Sequence, residues 1–404
     1  MRLPCARLRS VPHRDLKMGW PINVGETMQP EARPAWQLWA VLFVCLIGAS
    51  VAWAVWSWPS GKSVDARFWL RIATPLLVGC VLLGLWINRY DQSVAASVAN
   101  EEATENTRLQ WQQWAQRALR VVACAAITPE CALVAAMTSV PPTAAASPHK
   151  GRTFHGWPDG DKIDPIQWAL EKLARQLDEI HPNWSTQVQS IHVQADADAA
   201  HIERAWQDAQ SARTQRPSTA NVVPLVAGDW NDMFDEPNAS PRLFVAVQTW
   251  PSSREPRDFS ELAVALLVSG DHYPNHSPAS LAPRIGRPMA TSTETLDADL
   301  AMLFDYAEAD RTNVAGIWLT GISADASGAM SNMLSPSEAE AVPSYPVDHY
   351  LARAHTAQYW FGLVAAAEAC RQGSGNPQLA IAHAENELTV HLIAASQTND
   401  HLAA

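Results

Sequence analysis

The chain of 404 residues has none of the short motifs that identify the common enzyme classes. It contains no G-x-G-x-x-G after a strand, no G-x-x-x-x-G-K-[ST], no H-E-x-x-H and no G-x-S-x-G. Dinucleotide binding, P-loop phosphate binding, zincin chemistry and the nucleophile elbow of α/β-hydrolases therefore lack their usual sequence support.

Cysteine is also scarce, and its spacing carries no recognisable chemistry. The six cysteines include no C-x-x-C pair and no histidine partners at zinc spacing; they are Cys5, Cys45, Cys80, Cys124, Cys131 and Cys370. They are typical of small apolar residues rather than of a metal site or a disulfide framework. A disulfide between Cys124 and Cys131 remains open, although a reducing compartment would oppose it.

Basic residues are few in most of the chain, and those present are concentrated at the front. Residues 1 to 88 carry 9 basic and 4 acidic side chains, whereas residues 89 to 404 carry 20 basic and 37 acidic ones, a net charge of −17. An acidic surface repels phosphates, so nucleic-acid binding by the larger part is not expected.

Two long apolar runs occupy the basic front end. The first, Ala35 to Trp58, contains no charged residue, and the second, Phe68 to Asn88, contains Pro75 and a single arginine, Arg71, near its start. Each run is long enough as a helix to cross about 30 Å of hydrocarbon. A membrane helix tolerates a proline, and a long basic side chain near its end can reach the interface. A transmembrane helical hairpin over residues 35–88 is therefore predicted; two buried core helices are the alternative.

The basic residues that flank the runs set the predicted orientation. Six of them precede the first run, namely Arg2, Arg7, Arg9, Arg14, Lys17 and Arg33, whereas the link between the runs has only Lys62 and Arg67. Basic flanks stay in the cytoplasm, so residues 1–34 form a predicted cytoplasmic tail. A hairpin returns the acidic body to the same side. The predicted location is the bacterial inner membrane, with two spans and with the lipid bilayer as one partner.

Beyond the spans, residues 89–117 are polar and predict a helical stalk. Residues 118–404 predict an α/β or α+β body of mixed sheet and helices. A division of this body into two subdomains near residues 215–240 is left open. The clearest helix begins at Asp164-Pro165, a capping residue followed by proline, and buries apolar residues at spacings of three and four. Strands are predicted at 119–127, 188–194, 222–226, 243–250, 314–322, 378–383 and 388–394, the last two as a terminal hairpin.

Other helices are predicted at 199–213 and from 296 onward, the latter with a capping box of Thr291 and Glu294. A long alanine-rich helix is predicted from Asp348 to Gly373. Periodicity alone does not assign residues 261–269. No internal repeat of fixed period is found in the sequence.

Two short segments have the residue types of a site. The acidic segment Asp229 to Glu236 offers oxygens at Asp229, Asn231 and Asp235 for a hard cation, but Phe234 stands where a calcium loop needs glycine. A solvated loop with local turns is the favoured interpretation. His272 and His276, with Asp271 and Ser277 beside them, could supply a general base, but an exposed turn is the favoured interpretation.

The remaining histidines and acids are interpreted structurally. His349 and His355 are six residues apart and face different directions on a helix. Asp196, Asp198 and His201 fit the start of a helix, where acids interact favourably with the dipole. No catalytic, cofactor-binding or metal-binding residue is assigned, and no cofactor is predicted.

Two resemblances to known families arise from the layout. The apolar hairpin, the turn from Pro224 to Trp230 and the alanine-rich stretch from His349 to Ala369 together resemble accessory proteins of the bacterial type VI secretion system, in particular the lipase-adaptor family. That resemblance implies a cytoplasmic-side adaptor or chaperone that binds a secreted effector or a secretion component and escorts the effector to the secretion spike. It covers residues 150–404 and transfers no functional residue.

The alternation of strands and helices, with a long helix before a terminal hairpin, also looks like a thiolase-type body, although the catalytic cysteine and histidine of that family have no match here. The leading hypothesis is a membrane-anchored, non-enzymatic adaptor with a protein partner. The alternatives are an enzyme with an unrecognised site, either thiolase-like or a hydrolase, and a structural subunit of a membrane assembly.

Overall fold

The structure is a computed structural model, and it describes residues 20–23, 35–139, 142–157, 164–182, 184–211, 220–225, 230–250, 257–273, 282–322, 324–334, 342–353, 355–373, 375–384 and 387–395. The chain divides into two compact units. One comprises residues 22–111, and the other comprises residues 1–21 together with 112–404.

The smaller unit consists of two helices that expose their apolar side chains. Helix α1 (Trp36–Trp56) and helix α2 (Ala66–Ala115) are each long and apolar enough to cross a membrane. Only 11% and 6% of their most apolar windows are buried, so these are not core helices of the chain. The rings of Trp39 and Trp86 meet at a centroid distance of 5.5 Å. Helix α2 continues without a break beyond its apolar part to Ala115.

The larger unit alternates strands and helices, as the sequence predicts for a mixed α/β body. Its strands are β1 (Ala118–Ile127), β2 (Ser190–Ala195), β3 (Asn221–Pro224), β4 (Arg242–Gln248), β5 (Leu262–Gly270), β6 (Pro283–Gly286), β7 (Met289–Thr291), β8 (Gly316–Thr320), β9 (Ser344–Pro346), β10 (Gln378–Ala384) and β11 (Glu387–Ala395). Its helices are α3 (Leu133–Thr138), α4 (Pro165–Ile180), α5 (Trp184–Gln187), α6 (Ala199–Ser211), α7 (Leu296–Ala307), α8 (Ala324–Leu334), α9 (Val347–Leu351) and α10 (Gln358–Gln372).

The strands form one sheet that contains the same arrangement twice. The first half has the order β3-β2-β4-β5-β1, and the second half has the order β9-β8-β10-β11-β6, with β7 also paired to β11. In both halves the first three strands of this order are parallel, and the last two are antiparallel to their neighbours. The halves join through antiparallel pairing of β1 with β6. The body is therefore a structural duplication without a sequence repeat.

Helices cover both faces of the first half. On strand β4, Leu243, Val245 and Val247 face the cluster that contains α4 and α6, whereas Phe244 and Ala246 face the cluster that contains α10. Strand β5 is buried along its whole length. A strand covered on both faces loses the alternation of apolar and polar residues, which explains why periodicity did not assign residues 261–269.

The best-predicted helix begins as the sequence indicates. The Asp164 carboxylate accepts hydrogen bonds from the backbone N–H of Ile166 and Gln167, at 3.4 and 3.2 Å, and Pro165 occupies the first helical position. Side chains at the predicted spacing are buried, except that Ile180 at the end is 42% exposed. The predicted terminal hairpin is also present as β10 and β11.

Two local predictions are wrong. The long helix from Asp348 to Gly373 is split into α9 and α10, because Ala352 adopts φ +62° between them. The capping box of Thr291 and Glu294 does not form at α7. Its N-cap is Thr295, and the Thr291 hydroxyl donates to the Asp299 carboxylate instead, at 2.6 Å.

Candidate functional site

A cleft of about 240 Å³ opens between strand β1, helix α3, the end of α4 and helix α10. Its lining mixes apolar side chains with polar and charged ones. The lining residues are Cys124, Ala125, Ala126, Thr128, Ala132, Leu133, Val134, Gln176, Glu179, Ile180, Phe361, Glu368 and Arg371. Polar groups that converge in a concave site are a usual feature of ligand binding.

The thiol in the cleft is not an activated nucleophile. Cys124 is buried, and burial raises the pKa of its thiol to about 11, although the nearby Arg371 opposes the shift. The thiolate is the reactive form of cysteine, and this thiol stays protonated at neutral pH. Cys124 therefore forms part of the wall, together with the buried ring of Phe361.

The carboxyl group of Glu368 is the best-placed titratable group in the cleft. Burial raises its pKa above the ordinary value, whereas Arg371 and a hydrogen bond from Gln372 Nε2, at 2.9 Å, lower it in part. Glu368 and Arg371 lie three residues apart on α10, so they share one helix face. A partly buried carboxyl with a raised pKa, next to a guanidinium, has the features of an acid–base site.

The backbone beside the cleft is strained. Ala132 precedes α3 with φ +54° and ψ +41°, the left-handed region that residues other than glycine seldom adopt. The conformation costs about 1–2 kcal/mol and persists only where the surrounding structure imposes it. Such strain is enriched at functional sites, which makes the Ala132 turn an independent reason to examine this cleft.

A second titratable cluster lies in the core and has a structural role. The ring of His391 contacts the rings of Trp230 and Tyr359 and is fully buried. Since a carbonyl oxygen only accepts, His391 Nδ1 donates to Gly286 O at 3.2 Å, and its Nε2 accepts from the Tyr359 hydroxyl at 2.8 Å. Burial lowers the pKa of His391 to about 4 and raises that of Tyr359. Both side chains are hydrogen-bonded, and the His391 ring is inaccessible to a substrate.

The acidic segment considered as a cation site buries its apolar side chains and exposes its polar ones. Trp230, Met233 and Phe234 are buried, and residues 231–235 form a 3₁₀ helix. The Asp235 carboxylate pairs with Arg117 at 3.0 Å and with Arg287 at 2.6 Å. Asp229 lies outside the described residues. Among those that are described, no group of three His, Cys, Asp or Glu side chains is arranged to hold a metal ion.

The candidate histidines are dispersed. His272 is exposed and its backbone N–H donates to Pro237 O, while Asp271 pairs with Arg284. His276 and Ser277 lie outside the described residues. His349 is exposed. The His355 ring stacks on Phe259 at a centroid distance of 4.3 Å, and its Nδ1 lies 3.7 Å from an Asp196 carboxylate oxygen.

The acids near the start of α6 have local roles. Asp198 accepts from the backbone N–H of His201 at 2.6 Å, and the His201 ring contacts Asp164 at 3.0 Å. Among the histidines and acids singled out in the sequence, none of those that the structure describes lines the cleft. Glu368 is not among the residues that the sequence pattern indicates, and its only signal is a carboxylate within an otherwise apolar stretch of α10.

The strand order defines the class of fold, a duplicated α/β body with five principal strands in each half. No protein-family model and no curated protein matches the chain. Among solved structures, a variant of OleA from Xanthomonas campestris bound with cerulenin has a TM-score of 0.46 at 8% identity, covering 70% of this chain and 98% of that one. 3-Oxoacyl-(acyl-carrier-protein) synthase III from Aquifex aeolicus has a TM-score of 0.41 at 11% identity, covering 68% and 99%.

These comparisons correct the sequence-based identification. The prediction of a type VI secretion protein of the lipase-adaptor family is wrong: no family model matches the chain, and the solved structures with a similar fold are of OleA and 3-oxoacyl-(acyl-carrier-protein) synthase III. The predicted adaptor or chaperone function, with escort of an effector to the spike, is overturned by the same finding. The similarity concerns the fold and transfers no catalytic residue.

Proposed function

We propose that this protein is a membrane-anchored enzyme whose body binds a small carbonyl compound in the cleft and acts on it by acid–base catalysis. Glu368 is the group that accepts or donates the proton. Arg371 binds the oxygen on which negative charge develops. The observation that carries this proposal is the partly buried Glu368 carboxyl in the cleft, with a raised pKa and a cation on the same helix face.

The properties of the cleft limit the chemistry. A substrate has to fit into about 240 Å³, with its apolar part against Phe361 and Leu133. The protonated thiol of Cys124 argues against an acyl-enzyme intermediate on that sulfur. Proton transfer, or attack by a water activated by Glu368, is the chemistry that these residues can support.

The anchor in this proposal is the hairpin of α1 and the first part of α2. The contacts of Trp20 support two crossings. This residue precedes α1, yet its indole N–H donates to Pro288 O at 3.1 Å, and its ring meets Trp114 edge-on at 5.6 Å. A tail that contacts the body lies on the same side of any membrane crossed by α1 and α2. The excess of basic residues before α1 favours the cytoplasm for that side.

The test is hydrolysis of p-nitrophenyl butyrate by the detergent-solubilised full chain. We expect saturable hydrolysis whose kcat falls at least about a hundredfold in Glu368→Gln, since an acid–base group contributes that much or more. If Glu368 acts as a base, kcat/KM should rise with pH through a pKa above the ordinary glutamate value.

Glu171→Gln is the matched control, because Glu171 lies on α4, pairs with Arg175 and does not line the cleft. It should retain the activity of the natural sequence. Hydrolysis at the uncatalysed rate, or equal rates for Glu368→Gln and the control, would contradict the proposal.

A further inference from the structure

The hairpin unit contains its own groove, distinct from the cleft in the body. The groove has a volume of about 510 Å³ and is lined by Leu46, Ala49, Ser50, Trp53, Arg71, Thr74 and Pro75. Its length is set by the seven residue steps from Leu46 to Trp53, a rise of about 10 Å along the helix. The small side chains of Ala49 and Ser50 leave the space on α1, opposite the proline of α2.

The hydroxyl groups in the groove are already satisfied. Ser50 Oγ donates to Leu46 O at 2.6 Å, and Thr74 Oγ1 donates to Leu70 O at 2.8 Å, each one turn earlier in its own helix. The walls therefore present hydrocarbon and internally bonded hydroxyls. An acyl chain can lie against such a surface without the desolvation of an unpaired polar group.

Arg71 supplies a positive charge at one end of the groove. Its Nη1 donates to Ser57 Oγ at 2.9 Å, and its guanidinium carbon lies 5.8 Å from the centroid of the Trp58 ring. Both contacts hold the side chain toward the link between the helices. No carboxylate pairs with Arg71 among the described residues. Guanidinium groups bind phosphates through several N–H donors, and Arg71 has donors to spare.

We propose that this groove is a phospholipid site, with the phosphate at Arg71 and one acyl chain along Ala49 and Pro75. The inference rests on the proposed insertion of the hairpin in a membrane. Charge complementarity selects the lipid: the groove is apolar along its length and cationic only at the end near the link, where phosphates of a bilayer would lie. A second copy of the hairpin would fill the apolar part and leave the arginine charge unmatched.

The experiment uses the delipidated full chain in mild detergent, titrated with phosphatidylglycerol or with diacylglycerol and examined by native mass spectrometry. We expect one phosphatidylglycerol to bind at least tenfold more tightly than diacylglycerol, which has no phosphate. Arg71→Gln should weaken phosphatidylglycerol binding at least tenfold. Arg67→Gln removes the same charge four residues away, outside the groove, and should change it less than twofold.

A second variant tests the groove independently of the charge. Ala49→Phe fills the space while keeping Arg71, and it should also weaken phosphatidylglycerol binding at least tenfold. Equal binding by Arg71→Gln and Arg67→Gln, or full binding by Ala49→Phe, would overturn the lipid site. So would a dimer in which the grooves of two copies face each other.

Carbonate extraction of membranes separates this inference from the anchor on which it rests. If the chain is released into the supernatant, the anchor proposal fails and the lipid site fails with it. If the chain stays in the membrane but binds no phosphatidylglycerol in the titration, only the lipid site is wrong.

Discussion

Replacing His391 with glutamine should make the stability of the body less sensitive to acid. The imidazole is completely buried and neutral, and its pKa is lowered to about 4 by burial. In the unfolded chain the same group has a pKa of roughly 6.5. Between these values the unfolded state binds more protons than the native state, so stability falls as the pH decreases through that window.

The size of this effect follows from the two pKa values. A histidine with a pKa of about 4 in the native state and roughly 6.5 in the unfolded state lowers the unfolding free energy by about 2 kcal/mol when the pH falls from 7 to 5. The stability associated with the neutral ring is fully present above about pH 6.5 and is lost as the pH falls to about 4. Glutamine does not titrate, so this part of the pH dependence should disappear.

The assay is urea denaturation of the detergent-solubilised full chain at pH 7 and at pH 5, followed by tryptophan fluorescence. His391→Gln should be less stable than the natural sequence at pH 7, because a buried hydrogen-bonded ring is lost. The decrease in its unfolding free energy from pH 7 to pH 5 should be about 2 kcal/mol smaller than that of the natural sequence. An equal loss in both proteins would refute the reasoning and show that His391 takes up protons equally in the native and unfolded states.

Two further predictions, the second with a control variant, are tested by the same denaturation. Asp348→Asn should have the opposite effect, because burial raises the pKa of this carboxyl to about 6 and the native state therefore binds a proton more readily than the unfolded state. Without this carboxyl, the loss of unfolding free energy between pH 7 and pH 5 should grow by about 1 kcal/mol. An unchanged dependence of stability on pH would exclude that role for Asp348. Arg287→Gln should lower the unfolding free energy by about 1–3 kcal/mol, since a buried guanidinium loses its contact with the Trp114 ring and its pair with Asp235. Arg117→Gln, an exposed arginine on the same carboxylate, should cost less than about 1 kcal/mol, and equal effects would contradict the importance of burial.

Several elements could be predicted because their signals are local. The start of α4 needs only an acid to accept backbone N–H groups and a proline whose missing donor is unneeded there. The apolar runs of the hairpin are long enough to identify without any partner. In contrast, the break between α9 and α10 depends on Ala352 in a left-handed conformation, which no alanine-rich sequence indicates.

The sequence by itself determined the mixed α/β class, most of the strands, the two apolar helices and the asymmetry of charge, because each depends on neighbouring residues and on their periodicity. Only the tertiary structure decided the duplicated strand order and the cleft. The two halves share a path of hydrogen-bonded strands rather than residues, so no repeat appears in the sequence. The cleft brings Cys124 beside Glu368, 244 positions away along the chain, and only the packing of α10 on the sheet makes them neighbours.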